Sequence, residues 1–415
     1  MAQHLLNNLQ LAKQQVGALG AVCIRNGSLG SLAKYSTITD EEPRQLKTVR
    51  LTSLKRGTGG RSSFNGMVVT IFGATGFLGP MVAYKFGKIG SQMIFPYRAD
   101  FYPAMRLKPT GDLGQVLFHF YNLRDEKSIK ESMKYSNVVV NLVGRQWETR
   151  NFSFNDVHVD GARLIAKCAR ECGVERLIHL SAMNVTPEPE PKVYAGGSKW
   201  LKSKYYGEQA VLEEFPNATI IRPADMYGRE DHFLWYYQHI WRRQGRALPL
   251  WEKGEKTVKA PVFAGDIATA IVNAAKDPET AGKIYQGVGP HRYLLSEIID
   301  YLYRVMQKDD KYWGYIRYNM KYDPIFFLRT FLTDKFTISN PVGELNRERV
   351  EREYINDVIL EGVPTLEDLG VTPTLMDDQI PYEMKPYSAF LYYTPEPGEF
   401  PEPGKPRPLD KYEFV

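Results

Sequence analysis

Three glycines stand at a spacing that could hold a dinucleotide. Gly73, Gly76 and Gly79 lie in the segment GATGFLG, directly after the apolar, β-branched run MVVTIF. Glycines let a strand turn tightly into a helix, let the backbone approach a pyrophosphate, and let helix pack on strand. The helix N-terminus then offers unpaired N–H groups and a partial positive charge to the phosphates. We therefore predict a dinucleotide cradle made of Gly73, Thr75, Gly76, Phe77, Leu78 and Gly79.

The residues that follow the next two apolar runs bear on which dinucleotide is bound. In NAD-binding sites an acidic residue at the end of the second strand accepts hydrogen bonds from the ribose 2′-hydroxyl. This chain has Arg98 there, in the segment PYRAD, and a guanidinium suits a 2′-phosphate. NADPH is therefore favoured over NAD or a flavin dinucleotide, and Asp100, two residues later, keeps those alternatives open. Asn122 and Leu123 close the third run, and we expect them to border the adenine.

A cradle of this kind must be positioned by alternating strands and helices. Short, continuously apolar runs recur along the chain, as expected for strands buried on both faces of a parallel sheet. Helical patterns lie between them, one of them closed by Gly173 as a C-terminal cap. This alternation predicts an α/β, Rossmann-like, doubly wound parallel sheet. The predicted strands are 67–73, 91–97, 115–121, 137–144, 175–182 and 218–224.

After about residue 226 the alternation weakens, and we predict a smaller, mostly helical C-terminal lobe. Helical patterns occupy 227–244, 265–277 and 294–308. The predicted segments are a transit peptide (1–38), a basic Gly-rich approach segment (39–66), an NADP(H)-binding domain (67–290, with 226–262 contributing to the smaller lobe), the C-terminal lobe (291–380) and a Pro-rich extended tail (381–415).

Two stretches of the C-terminal part could face a partner. Residues 312–336 place Trp, Tyr and Phe between Arg and Lys, which suits either the core of the smaller lobe or a surface that contacts a membrane interface or a partner's groove. Residues 381–415 contain eight prolines, so we predict no regular element there. That tail is either disordered or extended along a partner.

The N-terminal segment has the composition of a mitochondrial transit peptide. No Asp or Glu occurs before Asp40, while basic residues are spread among Leu, Ala, Gln, Ser and Gly, and no compact apolar stretch marks a secretory signal. A disordered cytosolic tail is the alternative. Residues 1–63 carry nine Lys or Arg against three Asp or Glu, so the net charge of +5 lies in this segment. The remainder is nearly neutral, which argues against nucleic acid as a partner.

Cysteine and histidine usage gives no sign of a metal site. Cys23 lies in the predicted transit peptide, and Cys168 and Cys172 lie on one predicted helix, where we expect them to be small buried hydrophobes. The seven histidines are scattered without metal-ligand spacing. We therefore predict no metal, and no apolar run approaches the roughly 18 residues that a membrane-spanning helix requires.

Several longer segments resemble a known family. GATGFLG, NVVVNLVG, GVERLIHLSAMN, IIRPADMYGRED and PVFAGDIATAIV together resemble the extended and atypical short-chain dehydrogenase/reductases, from about Val68 to Val288. GGRSSFNG, GDLGQVLF and NVVVNLVGRQWETRNF resemble, more narrowly, the nucleotide-binding accessory subunits of mitochondrial respiratory complex I. The resemblance implies that Ser181, Lys204 and Pro223 contact the cofactor.

The same resemblance locates a missing catalytic residue. The dehydrogenases use a Tyr-x-x-x-Lys pair on one helix face, and here Trp200 and Lys204 occupy those positions. Indole has no exchangeable hydroxyl, so it cannot act as the general acid. Tyr194, Tyr205 and Tyr206 are not followed by a lysine four residues on.

The resemblance therefore implies a non-catalytic subunit that holds NADPH tightly and supports the assembly and stability of complex I. Its expected partners are other complex I subunits where the matrix arm meets the membrane arm, on the matrix side of the inner mitochondrial membrane. The alternative is an active mitochondrial NADP-dependent reductase, dehydratase or epimerase that uses Tyr205 or Asp225 as its acid. A soluble redox sensor that responds to NADPH is a third hypothesis.

Overall fold

A seven-stranded parallel sheet lies at the centre of the chain. The computed structural model describes residues 55–308, 313–337, 339–394, 396 and 398–409, so the predicted transit peptide, residues 39–54 and residues 410–415 lie outside the described residues. The strands are β1 (Val68–Phe72), β2 (Gln92–Tyr97), β3 (Val116–Phe120), β4 (Val138–Asn141), β5 (Arg176–Leu180), β6 (Thr219–Pro223) and β7 (Ile284–Gly287). All six strands predicted from apolar runs are confirmed.

The strand order is that of a doubly wound sheet. Neighbours run β7-β6-β5-β4-β1-β2-β3, and every pair is parallel. The chain extends from β1 to β3 toward one edge and then returns to β4 on the other side of β1. The loops after β1 and β4 therefore diverge, and ligands bind in the crevice that such a reversal opens at the carboxyl ends of the strands.

Helices cover both faces of the sheet because alternate residues of its strands are apolar on each side. Along β1, Val69 and Ile71 pack with residues of α1 (Gly79–Lys88) and α5 (Ala264–Lys276). Phe72 packs in the opposite cluster, together with residues of α2 (Glu126–Met133), α3 (Gly161–Glu171) and the neighbouring end of α4 (Lys199–Glu214). The predicted cap at Gly173 is confirmed, because its φ of +69° follows the last turn of α3.

A second hydrophobic cluster forms the C-terminal lobe, which is mostly helical as predicted. Aromatic residues of the 227–237 segment, among them Tyr227 and Tyr237, pack there against buried residues of the C-terminal helices. Three pairs of short strands brace the lobe: Met226–Tyr227 with Val262–Phe263, Val258–Lys259 with Tyr293–Leu294, and Ala247–Leu250 with Ile316–Asn319. Its helices are α6 (Leu295–Val305), α7 (Pro324–Phe336), α8 (Arg347–Glu353) and α9 (Met376–Met384).

The prediction of a long helical stretch over 227–244 is wrong. Only Leu234–Gln238 is helical, because the Asp231 carboxylate accepts hydrogen bonds from the backbone N–H groups of Leu234 and Trp235 and starts the helix there. The chain leaves the helix at His239, which is extended, and Arg242 is then buried against Glu353 at 2.8 Å. This ion pair to a distant segment outweighs the local helical pattern.

The prediction that residues 381–415 form no regular element is also wrong for the first residues of that segment. Helix α9 continues past Pro381 to Met384. Proline has no N–H for the carbonyl of Asp377, one turn earlier, and that carbonyl instead accepts a hydrogen bond from the Tyr301 hydroxyl. Beyond the helix, the described part of the tail contacts its own lobe, where the Leu409 N–H donates to the Arg292 carbonyl at 2.8 Å.

Candidate functional site

The predicted cradle follows β1 and leads into α1. Gly73 has a φ of +77°, and a Cβ there would lie 2.9 Å from the backbone of Leu142. A Cβ on Gly79 would lie 2.0 Å from the Ala74 carbonyl oxygen, so the turn packs too closely on the start of α1 for any side chain at this position. These two positions require glycine for the reasons that the sequence suggested.

A cavity of about 410 Å³ opens beside this turn, at the carboxyl edge of the sheet. It extends from the cradle to the C-terminal lobe, which contributes Arg349 and Arg352 of α8 to its lining. The structure thus brings together residues from both halves of the chain. Nine of the residues predicted to contact the cofactor line it: Gly73, Gly76, Phe77, Leu78, Gly79, Arg98, Ser181, Lys204 and Pro223.

Arg98 lies where the cavity meets a neighbouring one of about 620 Å³. Arg145 also lines both, and Arg150 lines the second. Burial and the nearby Arg98 charge lower the pKa of Arg145. Among the described residues, no carboxylate side chain lines the second cavity. This group of guanidinium groups without a carboxylate is suited to a phosphate.

Ser181 and Lys204 both line the main cavity. The Ser181 hydroxyl is buried and has no hydrogen-bond partner among the described residues. The Lys204 Nζ donates to the Leu180 carbonyl at 3.2 Å, and burial lowers the pKa of this lysine to about 8. A buried hydroxyl without a partner is costly, so this atom fits a site completed by a polar ligand group. The donors suit the hydroxyl groups of a nucleotide ribose.

The indole of Trp200 is held in place at the position where the dehydrogenases carry tyrosine. Its Nε1–H donates to the Arg145 carbonyl at 2.6 Å, and the Arg352 guanidinium lies 4.0 Å from the ring centroid. Glu348 of α8 accepts hydrogen bonds from the Lys199 and Trp200 backbone N–H groups at the start of α4. The C-terminal lobe therefore fixes the helix that carries Trp200 and Lys204.

The two histidines beneath this helix are neutral. His179 is buried beside Asn141, and burial together with the Lys204 charge lowers its pKa to about 3. His158 accepts a hydrogen bond from the Arg145 backbone N–H at 3.1 Å, and burial lowers its pKa well below the usual range. At pH 7 both imidazoles are therefore neutral, and neither is an imidazolium that could act as a general acid.

The acids considered in place of tyrosine are not available either. Asp225 lies 3.0 Å from Lys259, which is also 3.7 Å from Asp357. Burial raises the pKa of Asp225, but the attraction of Lys259 and Arg349 leaves it below its ordinary value. Tyr205 packs with the small cluster around Leu201 and does not line the cavity.

Three predicted cofactor residues do not line either cavity. The Thr75 carbonyl accepts a hydrogen bond from the Arg106 guanidinium. Asn122 is exposed, and its side chain accepts a hydrogen bond from the Arg124 N–H at 3.1 Å. Leu123 is buried in the cluster that covers α3, where Gly161 leaves room for it. Their contact with the adenine or phosphates stays a prediction.

Sequence reasoning missed the cationic residues that close the cavity. Arg145 follows β4, but nothing in its neighbourhood distinguishes it from a surface arginine. Arg349 and Arg352 lie in RERVERE, a charge pattern that is typical of a solvated helix. Only the packing of α8 on α4 reveals that these side chains line the cavity.

Comparison with known proteins agrees with this architecture. Residues 69–286 match the NAD dependent epimerase/dehydratase family. The chain is 43% identical over 324 residues to NADH dehydrogenase [ubiquinone] 1 alpha subcomplex subunit 9, mitochondrial, of Mus musculus, covering 78% of this chain and 81% of that one. It is 33% identical to the NADH-ubiquinone oxidoreductase 40 kDa subunit, mitochondrial, of Neurospora crassa, covering 83% and 85%. The triphenylmethane reductase of Citrobacter sp. shares the fold, with a TM-score of 0.57 at 14% identity over 77% of this chain and 99% of that one.

Proposed function

The chain belongs to the NAD dependent epimerase/dehydratase family and, within it, to the family of mitochondrial alpha subcomplex subunit 9 proteins. We therefore propose that it is an accessory subunit of mitochondrial NADH:ubiquinone oxidoreductase, complex I. In this role it holds NADPH as a structural cofactor and catalyses no reaction. One observation carries the second part of the proposal. The dinucleotide cavity retains its glycine turn, while Trp200, at the position of the acid, is bonded to a backbone carbonyl.

Different residues of the cavity hold different parts of the cofactor. The turn after β1 and the start of α1 hold the pyrophosphate, and Arg98 with Arg145 holds the 2′-phosphate. Lys204 donates to the ribose beside the nicotinamide. Bound NADPH could supply a hydride, but Trp200, at the position of the tyrosine, has no hydroxyl to supply the accompanying proton. Binding without turnover stabilises the folded chain by mass action, and the subunit in turn supports assembly of the complex.

The proposed site of action is the matrix side of the inner mitochondrial membrane, next to the junction of the two arms. Helix α7 supports this placement because a stripe of apolar side chains on it faces solvent. Ile325 is 66% exposed, Leu328 58%, Leu332 43% and Phe336 74%. Lys335 and Arg347 lie beside this stripe, each over the Phe331 ring. Apolar residues flanked by cations suit the interface of an anionic bilayer. No helix of the described residues is long and apolar enough to span a membrane.

Native electrophoresis of mitochondria, with mass spectrometry of the bands, tests the assignment to complex I. We expect the chain to migrate with the other subunits of the complex. Migration of all of the chain at about its own mass would refute the proposal.

Nucleotide analysis and an activity assay test the structural role of the cofactor. We expect the purified full chain to release NADPH on denaturation, and to oxidise no NADPH when offered aldehydes, ketones or quinones. Trp200→Tyr restores a hydroxyl four residues before Lys204, and turnover that appears only in this variant would support the loss of the acid as the cause. Enzyme-like turnover by the unmodified chain would refute the non-catalytic role.

A further inference from the structure

The end of the cavity nearest the C-terminal lobe contains a partly buried cation, Arg352, that forms no ion pair among the described residues. The Arg352 side chain lies against the Trp200 ring and donates from Nη2 to the Gln146 side chain at 2.5 Å. Its Nε is buried without a hydrogen-bond partner, and no carboxylate of the described residues forms an ion pair with it. The guanidinium lines the cavity, so a small molecule in the cavity could reach it.

Another arginine in the same lobe shows what Arg352 lacks. Arg242 is fully buried, and it contacts Glu353 at 2.8 Å. Despite burial, the attraction of that carboxylate keeps the pKa of Arg242 well above its usual value. Burial and the repulsion of Arg349 instead lower the pKa of Arg352 to about 10. Charges that are shielded from water are normally paired, because desolvation without a partner is unfavourable.

The surroundings of Arg352 define the anion that would complete the site. Arg349, one turn away on α8, adds a second positive charge, with its nearest carboxylate at 3.9 Å. Asp225 and Asp357 line the same cavity and are only partly offset by Lys259, so they disfavour a doubly charged ligand. A planar guanidinium pairs well with a carboxylate.

Apolar side chains also line the cavity. Met183, Phe233 and Ile355 belong to the same lining as the two arginines. A short hydrocarbon body would bury its surface against them. Apolar walls together with a pair of cations indicate an amphipathic anion rather than a free inorganic one.

We propose that this end of the cavity binds a small monocarboxylate with an apolar body, as a second, non-reacting ligand beside the nucleotide. The carboxylate pairs with Arg352 and Arg349, and the hydrocarbon contacts Met183 and Ile355. This inference rests on the proposed function, because a ligand at this place is retained unchanged only if Trp200 replaces the acid.

Hexanoate is a suitable probe of the site. Full-length protein loaded with NADPH would be titrated with hexanoate, 1-hexanol or inorganic phosphate, and followed by calorimetry and by thermal unfolding. We expect saturable binding of hexanoate and a rise in Tm, with neither comparison compound binding as tightly. Arg352→Gln removes the charge but keeps a polar side chain, and we expect it to weaken hexanoate at least tenfold while leaving NADPH affinity within about twofold. Arg163→Gln is the matched control, because Arg163 pairs with Glu213 on the surface of α3.

The Tm of Arg352→Gln without hexanoate gives a second readout. Since the variant removes a partly buried charge that has no ion-pair partner among the described residues, we expect its Tm to equal or exceed that of the unmodified protein. If hexanoate does not bind the NADPH-loaded protein, or binds Arg352→Gln equally well, the inference is wrong. It is also wrong if Arg352→Gln weakens NADPH itself more than tenfold, because a nucleotide phosphate would then be the counter-ion. Failure of the unmodified protein to bind NADPH would instead refute the proposed function.

Discussion

Replacement of Arg98 by alanine tests how the protein selects its nucleotide. Arg98 follows β2 directly, is exposed, and lines both cavities at the carboxyl edge of the sheet. If it holds a 2′-phosphate, Arg98→Ala should weaken NADPH far more than NADH, which has a hydroxyl at that position.

The size of the effect follows from the type of contact that is lost. A hydrogen bond to a charged group contributes roughly 1.5–3 kcal/mol, which corresponds to about a 10- to 150-fold change in Kd. Arg145 lines the same two cavities and remains in the variant. We therefore expect the loss of NADPH affinity in Arg98→Ala to lie near the lower end of this range. The loss in the double variant Arg98→Ala, Arg145→Ala should be larger than in Arg98→Ala alone.

The assay compares two nucleotides on the same protein. Full-length chain freed of nucleotide would be titrated with NADPH and with NADH, using calorimetry or nicotinamide fluorescence, at constant ionic strength. The ratio of the two Kd values cancels any general effect of the substitution on folding. Arg163→Ala, on the surface of α3, should leave this ratio unchanged.

An equal loss of affinity for both nucleotides would refute the reasoning. Arg98 would then contribute only to the general positive potential of the cavity, and the 2′-phosphate would be recognised by other residues. No change for either nucleotide would place Arg98 outside the binding site.

Three further predictions concern stability and the exposed helix. Gly79→Ala should lower the free energy of unfolding by at least about 2 kcal/mol, measured by chemical denaturation, because its Cβ would meet the Ala74 carbonyl at 2.0 Å. Gly60→Ala, where φ is not positive either and no atom lies within 4 Å, controls for the loss of a glycine as such. The folded-state pKa of Lys204 is lowered to about 8, so the unfolded chain binds the proton more tightly. The free energy of unfolding of the nucleotide-free protein, measured with urea and compared with that of Lys204→Met, should therefore rise by on the order of 3 kcal/mol between about pH 8 and pH 10.5. If the difference between the two proteins does not change with pH, the burial of this charge is contradicted. Leu328→Asp should reduce the fraction of protein that floats with vesicles of phosphatidylcholine and phosphatidylglycerol at least fivefold. Tyr84→Asp, on the exposed surface of α1, should not reduce it. Equal flotation of both variants would exclude the α7 stripe as the surface that contacts the membrane.

The sheet and the glycine turn could be predicted because their signals are local. Most of the strands are buried on both faces, so their sequences are largely apolar and the run itself marks the element, whereas β3 at the sheet edge is only partly buried. Gly73 and Gly79 are required by contacts with Leu142 and Ala74, and the strand-turn-helix context made that requirement visible in the sequence. The Trp200–Lys204 spacing likewise placed both side chains on one helix face.

Other features depended on contacts between distant segments. The 227–244 segment has a helical pattern, but Asp231 and the pairing of Arg242 with Glu353 interrupt it. Arg349 and Arg352 belong to a charged helix that would be solvated if it stood alone, and they face the cavity only because Glu348 anchors that helix to the start of α4. The sequence by itself determined the α/β sheet, the glycine turn after β1 and the spacing of Trp200 and Lys204 on α4. Only the tertiary structure decided which charges enter the cavity, since burial and ion pairing arise from residues more than a hundred positions apart.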